Sequence, residues 1–156
     1  MSTTHDYILW IATLAYALHV MEEFAFDWRA WATRVMKFDV DWPLFYVTNA
    51  AVIVGGICCS MIGWRLPEVS LAFPALMLIN AVFLHVVPII RYRQFSPGIF
   101  TAVFLFFPIA IAAYILANTD QVFTPSALLF SLLIGAFFMI YPILLLTFRS
   151  RFSRYT

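Results

Sequence analysis

The chain has 156 residues, 64% hydrophobic and only 11% charged, with a net charge of +1 and a mean hydropathy of +0.94. Soluble domains carry about 25% charged residues, so this composition belongs to a polytopic membrane protein, and no basic patch argues for a nucleic-acid partner. The two cysteines, Cys58 and Cys59, are neighbours in an apolar run, diverge in direction on a helix, and read as small apolar residues rather than a disulfide or a metal pair.

The amino-terminal MSTTHDY lacks the positive region of a cleavable signal, so the first apolar run, residues 7–24, is expected to remain as a membrane helix. It ends in LHVMEEF, which places His19, Glu22 and Glu23 at the close of a segment otherwise suited to lipid. Glu22 and Glu23 stand at i+3 and i+4 from His19, on one helical face. Ala12 and Ala15 continue that face and let a neighbouring helix approach closely. In the next segment, Trp28, Trp31 and Val35 recur at helical spacing while Arg29, Arg34 and Lys37 lie to the other side. This predicts a short interfacial amphipathic helix over about 28–38, with Asp27 as its N-cap.

Four further hydrophobic runs follow at about 42–62, 69–90, 99–116 and 127–148, each close to the roughly 20 residues that cross a bilayer core. GWRLPE, RYRQFSPG and ANTDQVFTPS separate them. The expected fold is all-α: one integral membrane domain over 1–156, an antiparallel bundle of five transmembrane helices plus the interfacial helix. Arg29, Arg34, Lys37, Arg91, Arg93, Arg149, Arg151 and Arg154 fall on one side and Arg65 alone on the other. The positive-inside rule then puts the N-terminus outside and the C-terminus in the cytoplasm, in a membrane read as the bacterial inner membrane.

On this topology polar groups gather at one cytoplasmic depth. His19 lies about 7–8 Å before the end of the first helix, Asn49 about 10 Å into the second and His85 about 9 Å inside the third. Tyr46 is one turn before Asn49, Tyr92 is at i+7 from His85, and Thr101 is about one turn into the fourth helix. Asn80 sits nearer mid-membrane, about 140° around from His85 on the face of Arg91, a relation that a Pro88 kink can alter. Polar side chains inside a membrane are costly and face the bundle interior. Plainer roles exist for each: headgroup pairing of the glutamates with Arg29 or Arg91, interhelical hydrogen bonds for the histidines and asparagines, and a belt for Arg91–Tyr92–Arg93.

His19-x-x-Glu22-Glu23 resembles the signature of the HXXEE-domain family of small bacterial membrane proteins. The resemblance continues through Asn80 to His85 and into Phe95-Ser96-Pro97-Gly98 followed by Thr101, and covers about residues 10–115. Phe and Ser stand where the family pattern has Tyr and Asn before Pro-Gly. The resemblance implies a membrane protein of uncertain function, suspected of enzymatic activity.

Two imidazoles and two carboxylates permit a divalent metal, zinc or iron, on His19, Glu22, Glu23 and His85. They equally permit metal-free acid–base catalysis, with Glu22 or Glu23 as base and His19 and His85 as partners. Asn49 and Asn80, with Tyr46, Arg91, Tyr92 and Thr101, would bind substrate or orient the catalytic groups. The expected activity is a membrane-embedded enzyme for a hydrophobic or lipid-derived substrate, with membrane lipid as its surroundings and the 28–37 segment as a lip over the pocket. A proton-coupled carrier or a non-catalytic binding protein is the alternative; no inverted repeat supports the former.

Overall fold

The computed structural model describes residues 4–38 and 40–152, with side chains as far as Tyr141 and at Leu144. Among the described residues every regular element is helical. The elements are α1 (Ile8–Ala25), α2 (residues 28–36), α3 (Trp42–Ile62), α4 (Pro67–Tyr92), α5 (Ile99–Thr119) and α6 (Pro125–Phe152). By length and composition α1, α3, α4 and α5 can cross a membrane, which makes this a membrane protein. The fifth hydrophobic run does form a helix, α6, but its described apolar stretch, Pro125–Tyr141, is shorter than those four.

α1 packs against α3, α4 and α5, and α6 lies along α4. Small side chains make the contacts possible. On α5 the stripe Ala102, Phe106, Ala110, Ala113 and Ala117 is fully buried at spacings of three and four; its first three residues cluster with Ala12, Ala15 and Tyr16 of α1, and Ala113 and Ala117 with Ile8 and Leu9. At Gly135 of α6 a Cβ would stand 2.8 Å from the Ala72 carbonyl oxygen of α4, so only glycine allows that approach. Large apolar side chains point outward instead: Ile90 and Phe104 are each 72% exposed, as expected where the surroundings are lipid.

The short α2 is where the interfacial helix was expected. Asp27, at φ 49°, accepts from Ala30 N at 3.1 Å and caps a single α turn that widens into a π turn from Ala32 to Met36. Its tryptophans do not lie free at a surface. Trp28 and Trp31 are buried against Val40 and Phe45, so the segment is bound to the bundle as a cover.

α4 and α5 also contain π turns, Ala81–Val86 and Ala102–Phe106, each running into a proline-bearing α segment (Pro88, Pro108). The first carries His85 and the second follows Thr101. A π turn rotates each residue less than an α turn does, so an α-helical wheel misplaces side chains across it. At the opposite end, Asp120 accepts from His5 N at 2.7 Å and Trp64 Nε1 at 2.8 Å and lies 2.7 Å from His5 Nδ1, joining three separate connections.

Candidate metal centre

At the end of the bundle where α1 closes and α5 opens, His19, Glu23 and His85 meet. Both histidines are 0% exposed and Glu23 4%. The imidazoles meet edge to face with centroids 4.8 Å apart. Glu23 Oε1 lies 3.5 Å from His19 Nε2 and 3.6 Å from His85 Nε2, and the three ligand-capable atoms are all within 4.8 Å of one another. Neither Nε2 has a hydrogen-bond partner.

The remote ring nitrogens decide which way the lone pairs point. Thr101 Oγ1 is 2.6 Å from Glu22 Oε2 and 2.7 Å from His19 Nδ1. A carboxylate only accepts, so the hydroxyl proton goes to Glu22 and Nδ1–H of His19 donates to Thr101. On the other side Ser96 Oγ donates to the Leu84 carbonyl at 3.3 Å and accepts from His85 Nδ1–H at 3.0 Å. Pro88, four residues after Leu84, has no N–H to offer that carbonyl. Both imidazoles therefore carry a lone pair on Nε2, directed to the space beside Glu23 Oε1.

Two donors about 2.1 Å from a tetrahedral ion lie about 3.4 Å apart. The 3.5 and 3.6 Å separations from Glu23 to the two imidazoles are near that edge and exceed ordinary hydrogen-bond length, while the three atoms together lie within 4.8 Å of one another. Two imidazoles and one carboxylate, buried and with the outer ring nitrogens already bonded, could hold a metal ion.

The surroundings hold this geometry. Phe106 lies under His19, centroid to centroid 4.4 Å, and stacks on Tyr16. Gly98 closes the other side at φ +96°; a Cβ there would be 2.5 Å from His85 Cε1 and 2.7 Å from His19 Cε1. A cavity of about 70 Å³ adjoins Glu23, walled partly by Tyr16, Asn49, Asn80 and Trp28.

The structure separates the two glutamates. Glu22 stays outside the cluster and caps the start of α5: its carboxylate accepts from Gly98 N and Phe100 N at 3.1 Å and from Thr101 N at 2.7 Å. Asn49 is joined to Tyr16, whose hydroxyl donates to Oδ1 at 3.1 Å. Asn80 is buried beside the cavity rather than on the exposed Arg91 face, because the π turn intervenes. Tyr46 is 51% exposed and packs on Trp42; Arg91 lies over the Tyr92 ring, and both of these are exposed. Ser96, Gly98 and Tyr16 also shape the site, though none of them is a polar group that helical spacing brings to the cluster's depth. The Phe-Ser-Pro-Gly block was the available signal for the first two.

Residues 10–113 match a family model described as a protein of unknown function with HXXEE motif. No curated protein and no solved structure gave a match.

Proposed function

The chain belongs to the HXXEE-motif family, and for this member we propose a membrane-embedded enzyme whose His19–Glu23–His85 cluster holds a divalent metal and acts on a hydrophobic or lipid-derived substrate. One observation carries the reading: two fully buried Nε2 atoms, each without a hydrogen-bond partner, flank one oxygen of Glu23. A bound zinc or iron would supply Lewis acidity toward water or a substrate oxygen. The chain's own residues prepare the place for it. Glu22 through Thr101 orients His19, Ser96 orients His85, and Phe106 and Gly98 keep water from the ring faces. Without metal, Glu23 would be the base beside the cavity, because it is the charged residue lining it.

Five spans are part of the proposal, with α6 as the fifth, the N-terminus outside and the C-terminus in the cytoplasm of a bacterial cell. Arg29, Arg34, Lys37, Arg91 and Arg93 support that orientation; the side chains of Arg149, Arg151 and Arg154 lie outside the described residues. The cluster then faces the cytoplasmic leaflet under α2.

Metal analysis of the purified protein tests the centre. About one equivalent is expected in wild type, lost in His19→Ala, His85→Ala and Glu23→Gln; retention by all three variants sinks this ligand set. Lipid extracts from cells making wild type or Glu23→Gln test the chemistry, and a changed profile is expected. Identical extracts with intact metal would turn the reading to a binding protein or carrier.

A further inference from the structure

The cavity beside Glu23 has a buried side and an open side. Tyr16 and Glu23 of α1 and Asn80 of α4 are buried in its wall, and buried Trp28 and Val40 close it at the end where α2 lies. Phe38, Leu44, Asn49, Leu84 and Met139 line it as well, and these five are half-exposed. They mark a mouth between α3 and α6, with α4 behind it. α3 and α4 touch near their joined ends, where Cys59 Sγ donates to the Val69 carbonyl at 3.4 Å. Their main packing lies before Ala81, which leaves a gap at the level of the cluster. Farther along the same seam Phe138 of α6 covers Gly55 of α3, where a Cβ would meet the ring at 3.6 Å, so the gap ends there.

This mouth is continuous with the lipid-facing surface. Val47 of α3, Phe83 of α4 and Ile140 of α6 lie at its level and are 59%, 60% and 49% exposed. Leu44 to Asn49 occupy the first turns of α3, about 3–10 Å inside its end, within the hydrocarbon of one leaflet. The polar rim needs no water. Asn49 Oδ1 accepts from the Tyr16 hydroxyl, its Nδ2 donates to the Phe45 carbonyl at 3.0 Å, and Thr48 Oγ1 donates to the Leu44 carbonyl at 2.8 Å. Such internal matching is what a rim against hydrocarbon requires, because lipid offers no hydrogen bonds. Met139 stands at the narrow point, its Sδ 3.9 Å from Asn80 Nδ2, and an unbranched thioether swings aside easily.

We propose that substrate reaches Glu23 sideways from the bilayer, through this window between α3 and α6, and that it is a chain-bearing lipid of the leaflet on the cluster's side. Its polar part passes Asn49 and Met139 to lie beside Glu23, while its hydrocarbon stays outside against Val47 and Ile140. α2 is then a fixed roof, held by Trp28 and Trp31, and not the entrance. This rests on the cluster being a centre for a lipid-derived substrate, and gives that substrate its route and its leaflet.

The test places a thiol in the cavity wall by Thr48→Cys in a Cys59→Ala background. Native Cys58, exposed and farther along α3, is the internal control for access from lipid. The full chain in nanodiscs is treated with hexadecyl methanethiosulfonate or with the charged trimethylammonium-ethyl reagent, and each thiol is followed by peptide mass spectrometry. The chain-bearing reagent is expected to modify position 48 at least about tenfold faster than the charged one, which lipid excludes. Met139→Trp should slow that reaction roughly tenfold, and Met139→Ala should speed it. Unchanged labelling of Cys58 in both variants shows that the fold is intact. Equal rates for the two reagents at position 48, or a rate indifferent to both Met139 variants, overturns the window. Metal content of the same samples separates this from the metal centre: chain-selective entry without metal defeats the centre and leaves the window standing, and metal with unselective entry does the reverse.

Discussion

His19 and His85 reach one point from different helices, yet their outer bonds are unequal. His19 leans on a carboxylate through the Thr101 hydroxyl, and His85 leans on a backbone carbonyl through Ser96. A partner ending in a carboxylate raises the basicity of the bound imidazole, and losing such a partner costs about 10- to 100-fold in metal affinity. Thr101→Val should therefore weaken metal binding by about that factor, while Thr101→Ser restores it; competition with a metal chelator reads the difference. Equal affinity in Val and Ser variants would show that the hydroxyl orients nothing. The same contacts explain Glu22. It sits one residue before a cluster member, but its oxygens receive the first N–H groups of α5, where a negative charge is worth about 0.3–1 kcal/mol from the helix dipole.

At the scale of elements, the turn into α5 places the lid of the cluster. Gly98 needs φ +96°, and a Cβ there meets both imidazoles. Left-handed strain of about 1–2 kcal/mol and overpacking of about 1–3 kcal/mol give Gly98→Ala a cost of roughly 2–5 kcal/mol. Reversible unfolding in detergent checks that, and metal content should fall with it. Gly55 in α3 is the control: a Cβ there makes ordinary contact with Phe138 at 3.6 Å, so Gly55→Ala should be neutral or stabilise by up to about 1 kcal/mol through helix propensity. Comparable losses at both positions would mean that the Gly98 turn has no special role. The π turns act at this scale too. The one between Asn80 and His85 moves Asn80 off the Arg91 face and into the cavity wall, which no regular 100° wheel anticipates.

Across the whole molecule, polar fastenings hold both ends. Glu22 ties α1 to α5 at one, and Asp120 ties the N-terminal segment, the α3–α4 connection and the α5–α6 connection at the other. The His5 backbone N–H, then the His5 ring and the Trp64 indole, hold the Asp120 carboxyl below its usual range. Its folded value is lower than its unfolded one, so this stabilisation is present above about pH 4 and lost as pH falls through the folded value. Unfolding temperature in detergent should thus drop between pH 5 and more acidic buffers by more in wild type than in Asp120→Asn. Parallel acid curves for the two proteins would remove the fastening from the account.

Composition and hydrophobic run length sufficed for a helical membrane protein, because about 20 consecutive apolar residues have few other stable solutions. Spacing within one helix likewise placed His19 and Glu23 on a common face, since i and i+4 are neighbours whatever surrounds them. The pairing of His85 with His19 was within reach as shared depth alone. Tertiary structure decided which glutamate joins them, because Glu22 and Glu23 point about 100° apart and only the arrival of α5 gives Glu22 its N–H donors. It also decided the tautomers, through Ser96 and Thr101, and the position of Asn80, through a π turn that the local sequence does not announce. Those outcomes depend on contacts between segments distant along the chain, where one residue's direction is set by another's backbone.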